Sequence, residues 1–163
     1  LNGVLEQALE RLEIPPEIEV AVRLDDGVCG IQGDPDQLGE VFFNIAHNAV
    51  QAMPDGGRLL VESEAASDEK VTVSISDTGV GIPELDQKRV FEPLFTTKTK
   101  GIGLGLAIVK TLVEGHGGEI DVKSPSPRAF DGEDEIVSLD GDRKGTMFAV
   151  HLPLEEGMKA SER

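Results

Sequence analysis

The sequence predicts an α+β fold. Two layers are expected: a mixed, mostly antiparallel sheet, with helices packed on one of its faces. Three observations predict it. Strand-like runs come in neighbouring pairs, at 58–65 with 70–76 and at 118–123 with 146–152. Helical apolar patterns fall between those pairs, so each element has a face to bury against the other layer. The regular strand–helix–strand alternation of a doubly wound parallel fold is absent.

In chain order, Val4, Leu5, Ala8, Leu9 and Leu12 fall on one face of a first helix over 3–12, and Pro15-Pro16 ends it. Ile18, Val20, Val22 and Leu24 alternate as a half-buried strand. Asp25-Asp26-Gly27 then predicts a turn into a second strand around Val28–Gln32. Asp34 as cap, Pro35 at the first helical position and Gln37 as the returning side of a capping box predict a helix reaching about Ala52. Its core side is Leu38, Val41, Phe42, Ile45 and Ala49, and Met53-Pro54-Asp55-Gly56-Gly57 stops it.

A hairpin over 58–65 and 70–76 follows, with Val71, Val73 and Ile75 alternating, and Asp77-Thr78-Gly79-Val80-Gly81 breaks its second strand. A short helix is expected at Glu84–Val90 and another from about Gly103 to Glu114. The stretch 125–144, with two prolines and six acids, reads as a long inserted acidic loop between the last two strands, with a short strand possible at 136–139. One domain over 1–153 and a polar tail over 154–163 are expected.

Composition excludes several classes. A net charge of −16 argues against nucleic acid or an anionic membrane as partner. No apolar run approaches the roughly 20 residues of a membrane span. The single Cys29 cannot form an internal disulfide and fits a reducing compartment, so a cytoplasmic location is expected, free-standing or as the cytoplasmic part of a membrane-anchored protein. The first residue is Leu1 rather than Met, which points to a piece of something longer.

Against this acidic background, residues 88–110 carry Lys88, Arg89, Lys98, Lys100 and Lys110 with only Glu92 opposed. The same stretch contains Gly101, Gly103 and Gly105 immediately before a helical pattern. Alternating glycines let a backbone approach a ligand closely, and a helix start offers N–H groups to an anion. A phosphate chain is the anion this arrangement suits.

Asn44 and Asn48 lie four apart, hence on one helix face, with Gln51 three further along. Each mid-helix Asn costs roughly 0.5–0.7 kcal/mol against Ala. Two on a shared face point to neutral oxygen ligands for hydrated Mg²⁺ or to amide donors for a phosphate. Asp77, ending an apolar strand before a Gly-rich loop, accepts hydrogen bonds only and could select a base through an exocyclic amino group. Other machinery is missing: there is no P-loop, no dinucleotide fingerprint, no zinc-spaced Cys/His set and no nucleophile elbow.

Four segments in order carry a resemblance: Asn44-Ile-Ala-His-Asn48-Ala-Val-Gln-Ala, Asp77-Thr-Gly-Val-Gly81, Phe91-Glu-Pro-Leu-Phe-Thr-Thr-Lys98 and Gly101-Ile-Gly-Leu-Gly-Leu106. They resemble the N, first glycine, F and second glycine boxes of the catalytic and ATP-binding domain of sensor histidine kinases. That domain shares a superfamily, and a Bergerat-type ATP-binding fold, with gyrase, heat-shock chaperone and mismatch-repair ATPases. Met53–Gly57 and Phe95-Thr-Thr-Lys98 look most like the short-lid, nitrogen-regulatory branch.

The resemblance implies ATP and Mg²⁺ as ligands, with Asn48 on the metal, Asn44 supporting the metal or phosphate end, and Asp77 reading adenine with Thr146 helping through water. Gly103, Leu104, Gly105 and Leu106 would give backbone N–H groups to the phosphates. Lys98 would reach the terminal phosphate from a mobile lid, and Gln51, Ala52, Gly79, Gly81, Ile82 and Gly101 would complete the nucleotide contacts. The implied activity is γ-phosphoryl transfer to a His on a dimerisation and phosphoacceptor domain, with a response-regulator receiver domain downstream. That acceptor is missing from this sequence, so the chain alone is not expected to autophosphorylate. His47, His116 and His151 lack the acceptor's setting. An ATPase of the gyrase or mismatch-repair type, a kinase acting on Ser and a non-catalytic nucleotide-sensing module remain the alternatives.

Overall fold

A computed structural model describes residues 1–28, 30–66, 69–96, 103–131, 135–138 and 144–154. In chain order the elements are α1 (Asn2–Glu10), β1 (Ile18–Leu24), α2 (Pro35–Gln51), β2 (Gly57–Ala65), β3 (Lys70–Asp77), α3 (Glu84–Gln87), α4 (Gly105–Gly115), β4 (Glu119–Lys123), β5 (Arg128–Asp131), β6 (Glu135–Ser138) and β7 (Thr146–Pro153). Five strands form one mixed sheet in the order β1-β2-β3-β7-β4. Only β1 and β2 run parallel; the other neighbours are antiparallel.

Period-two alternation decides which side chains face the helices. Leu59 and Val61 of β2, Val71, Val73 and Ile75 of β3, and Phe148, Val150 and Leu152 of β7 are buried on that face. Cross-strand registers such as Val73↔Val150 and Ile75↔Phe148 keep them in rows. Onto these rows α2 lays Val41, Phe42, Ile45 and Ala49, flanked by Leu5 and Ala8 of α1 and Val109 and Val113 of α4. The expected core side of α2 is the observed one.

The expected second strand at Val28–Gln32 does not form among the described residues. The turn itself is there: Asp25 Oδ1 accepts from the Gly27 N–H at 2.8 Å, and the Val28 N–H donates to Asp25 O. Beyond it, Ile31 makes only an isolated bridge to Leu154. All seven residues of β1 instead pair with β2, from Ile18↔Gly57 to Leu24↔Ser63. The long crossover helix α2 makes that parallel pairing possible, so the chain contains one strand–helix–strand unit that local turn chemistry did not reveal.

The segment expected as an acidic loop also differs. Arg128–Asp131 and Glu135–Ser138 pair as an antiparallel hairpin, and β5 lies against β2 and β3. The strand at 136–139 was foreseen only in part, and its partner was not. Leu60, Glu62, Ser74, Ser76, Met147 and Ala149 point away from the helices yet are buried, so the sheet is covered on both faces at its centre.

Candidate functional site

Helix α2 is the base plate of the site. Its start is fixed by Asp34, whose Oδ1 accepts from the Asp36 and Gln37 N–H groups, with Pro35 in the first turn. The reciprocal bond expected from Gln37 is replaced. His116 Nε2, at the end of α4, accepts from the Asp34 N–H at 3.1 Å, while its Nδ1 lies 2.7 Å from Leu112 O. A neutral ring protonated on Nδ1 satisfies both contacts. One imidazole therefore ties the start of α2 to the end of α4, a role the sequence did not signal.

The far end of α2 receives the Asp77 loop. Asp77 is 3% exposed. Its Oδ1 accepts from the Gly79 N–H at 2.8 Å and the Thr146 N–H at 3.3 Å. Gly79 is pressed on Ala52: an added Cβ would stand 2.3 Å from Ala52 O. The Val80 N–H donates to that same oxygen at 3.0 Å. Gly81 adopts a φ of +77°, and the Ile82 N–H donates to Ser124 Oγ at 2.8 Å. Ser124 Oγ in turn donates to Gly145 O at 2.7 Å. Ser124 is thus a clasp between the Asp77 loop and the start of β7, and nothing in its sequence context singled it out.

The middle of α2 receives the start of α4. Asn44 Nδ2 donates to Glu40 O at 2.8 Å and to Glu40 Oε1 at 3.0 Å, which leaves its carbonyl oxygen turned the other way. That Oδ1 would lie 3.3 Å from a Cβ added at Gly105, the first residue of α4. Among the described residues no side chain caps this helix end, and first-turn N–H groups of this kind suit an anion. Gly103 holds a φ of +73°, and a Cβ there would sit 2.6 Å from Phe95 O. Its carbonyl accepts from the Leu94 N–H at 2.9 Å.

The first part of the expected mobile lid is anchored. Phe91 packs edge-on against Phe148 with centroids 6.1 Å apart, and Arg89 covers the Phe95 ring at 4.5 Å. The basic stretch is partly neutralised, by Arg89–Glu92 and Lys110–Glu114. Lys98 and Gly101 lie outside the described residues.

From Asn44 to Ala52 the helix advances about 12 Å at 1.5 Å per residue. A buried carboxylate thus stands at one end of this span and the start of α4 at the other. Residues 33–156 match the family described as Histidine kinase-, DNA gyrase B-, and HSP90-like ATPase.

The chain belongs to that family.

Within this ATPase family it has the make-up of a sensor histidine kinase catalytic domain. It is 31% identical to the mycobacterial sensor histidine kinase MprB, with a TM-score of 0.78 over 93% of both chains. Full-length ShkA in complex with AMPPNP is 28% identical, with a TM-score of 0.71 over 93% of this chain and 29% of that one. Sporulation kinase E of Bacillus subtilis is 36% identical over 90% of this chain and 17% of its own length. The chain therefore spans only a fraction of that curated relative. Neither the match nor the structure singles out a short-lid branch.

Among the residues expected at the nucleotide, Asp77, Gly79 and Thr146 meet in one hydrogen-bonded knot, with Ala52 against Gly79 and Gly81 and Ile82 following on the same loop. Gly103, Leu104, Gly105 and Leu106 open α4 beside Asn44, with Leu104 as its cap residue and Leu106 partly buried against the core. Asn48 is one turn further along α2, part-buried. Gln51 is exposed and lies 3.3 Å from His47 Nε2 through its own Nε2. Among the described residues no group of three or more His, Cys, Asp or Glu could hold a metal ion. A cation here would rest on neutral amide oxygens and on the phosphates arriving with it, and the outward Oδ1 of Asn44 fits that chemistry. No helix among the described residues is long and apolar enough to cross a membrane.

Proposed function

We propose that this domain binds Mg·ATP along α2 and presents the γ-phosphoryl group to a His on a phosphoacceptor domain of its parent protein. The observation that carries this reading is the pairing of buried Asp77 with the uncapped start of α4, two turns of α2 apart. Asp77 accepts from the adenine amino group, Thr146 borders the same pocket, and the Gly79 and Gly81 loop lies along the ring. Gly103, Leu104, Gly105 and Leu106 donate backbone N–H groups to the phosphates. Asn44 and Asn48 offer amide oxygens to Mg²⁺, with Gln51 at the rim; by sequence alone, Lys98 is assigned to the terminal phosphate and Gly101 to the nucleotide contacts.

Bound Mg²⁺ would supply neutralisation of phosphate charge, which is most of what phosphoryl transfer asks of its catalyst besides positioning. An amide at position 44 has no basicity, so it cannot activate water as a carboxylate would; this favours transfer over hydrolysis. ShkA's complex with an ATP analogue supports the nucleotide class. A response regulator then takes the phosphoryl group from the acceptor His, in the cytoplasm.

Titration calorimetry with Mg·ATP tests the reading. The chain should bind, and should form no phosphohistidine when incubated alone. In Asp77→Asn the charge-assisted bonds at the carboxylate are lost, each worth about 1.5–3 kcal/mol, so affinity should fall by roughly one to two orders of magnitude. Equal affinity in the variant refutes the adenine assignment, and vigorous multiple-turnover hydrolysis by the parent chain refutes the transfer reading.

A further inference from the structure

Asn44 does not stand alone on α2. Both of its amide hydrogens are directed back to residue 40, one to the backbone oxygen at 2.8 Å and one to the Glu40 carboxylate at 3.0 Å. A rotated amide would set its oxygen against those two acceptors, so the pair selects one orientation. Glu40's other oxygen, Oε2, lies 3.6 Å from Arg11 Nη2. Arg11 caps the end of α1 and rests its guanidinium over the Phe43 ring at 4.9 Å. A continuous polar path thus runs from the end of α1, through Glu40, to the oxygen facing Gly105.

We propose that Glu40 is a positioning residue that locks Asn44's carbonyl oxygen toward the cation–phosphate site, and that Arg11 couples this lock to the seating of α1. The inference rests on the nucleotide reading above. Glu40 is not placed to act as a base, because both of its carboxylate oxygens are engaged, one by Asn44 and one by Arg11. Its value is geometric. Without the carboxylate, Asn44 keeps only its backbone bond and samples orientations in which a donor faces the cation. The ion pair itself is about half exposed on both sides, so it adds little to stability, and variants should fold.

The test compares Glu40→Ala with Glu40→Gln. Both remove the charge, but only Gln can still accept from Asn44 Nδ2. Affinities for ATP are measured by calorimetry with excess Mg²⁺ and with EDTA, alongside thermal melts. Glu40→Ala should lower Mg·ATP affinity about five- to tenfold relative to Glu40→Gln, with metal-free affinity and melting temperature alike in the two. Arg11→Gln should give a two- to threefold loss in the parent that disappears in the Glu40→Ala background.

Equal Mg·ATP affinities for Ala and Gln overturn the positioning role. So does a loss of the same size with and without Mg²⁺, which would mark a general structural effect. An Arg11 effect of the same size in both backgrounds overturns the coupling to α1. If the parent chain binds no ATP, the nucleotide reading falls and this inference with it; binding with no Glu40 effect overturns this inference alone.

Discussion

Gly105→Ala separates stability from binding at a single methyl group. Gly105 opens α4 with an ordinary negative φ, and among the described residues a Cβ there would meet only Asn44 Oδ1, at 3.3 Å. The neighbour must give by a few tenths of an ångström, a shift small enough for the part-buried Asn44 to keep its bonds to residue 40. In the unfolded chain, Ala samples fewer conformations than Gly, so the substitution should stabilise the fold by about 0.4–1 kcal/mol. For a chain of this size that raises the melting temperature by roughly 1–4 °C. The same methyl points into the space between Asn44 and the helix start, the phosphate site proposed above. Crowding a site built for close approach costs about 1–3 kcal/mol, a loss of roughly 5- to 150-fold in Mg·ATP affinity. Gly103→Ala is the control: at φ +73° and 2.6 Å from Phe95 O, it should destabilise by about 1–3 kcal/mol. Melting curves and calorimetry on the two variants read both quantities. A Gly105→Ala protein that melts higher and binds Mg·ATP within twofold of the parent would refute the placement of phosphates at this helix start.

Gly39 is buried inside α2, and a Cβ there would touch only Val4 Cγ1 at 3.8 Å; Gly39→Ala should therefore stabilise by about 1 kcal/mol in denaturant unfolding. Ser76 Oγ is buried without a hydrogen-bond partner, so Ser76→Ala should raise stability by about 1 kcal/mol while leaving nucleotide affinity unchanged. His116→Ala removes the bond that ties the start of α2 to the end of α4, together with the ring's bond to Leu112 O within α4, and should cost about 1–2 kcal/mol; retained stability would mean that water replaces the imidazole at the Asp34 N–H.

What the sequence made legible follows the range over which each signal acts. The core side of α2 and the alternation of Val71, Val73 and Ile75 in β3 are periodic within one element, and both are observed. The turns after Asp77 and at Gly103 were legible because glycine there answers a local demand of the backbone: Gly81 and Gly103 hold positive φ, and Gly79 is pressed on Ala52 O. Pairings decided at a distance were not. Asp25-Asp26-Gly27 makes the predicted turn, yet β1 pairs with β2 because a crossover helix delivers a longer partner. Gln37 has the right spacing for a capping box, but His116, 82 residues from Asp34, takes the bond. Glu40 carries no signal in the sequence; the role proposed for it comes from the direction of the Asn44 amide.

The position of β7 has a consequence for how this domain comes into being. It lies between β3 and β4, although both precede it in the chain. As the polypeptide leaves the ribosome, β4 has no neighbour in the main sheet, and the apolar rows of β3 and α2 stay open, until Thr146–Pro153 arrive. Thr146 also completes the knot around Asp77, so the binding groove and the cooperative core are finished by the same late strand. A nascent chain stopped before residue 146 should neither resist protease nor retain nucleotide, which makes closure of this sheet a late, all-or-none event in synthesis.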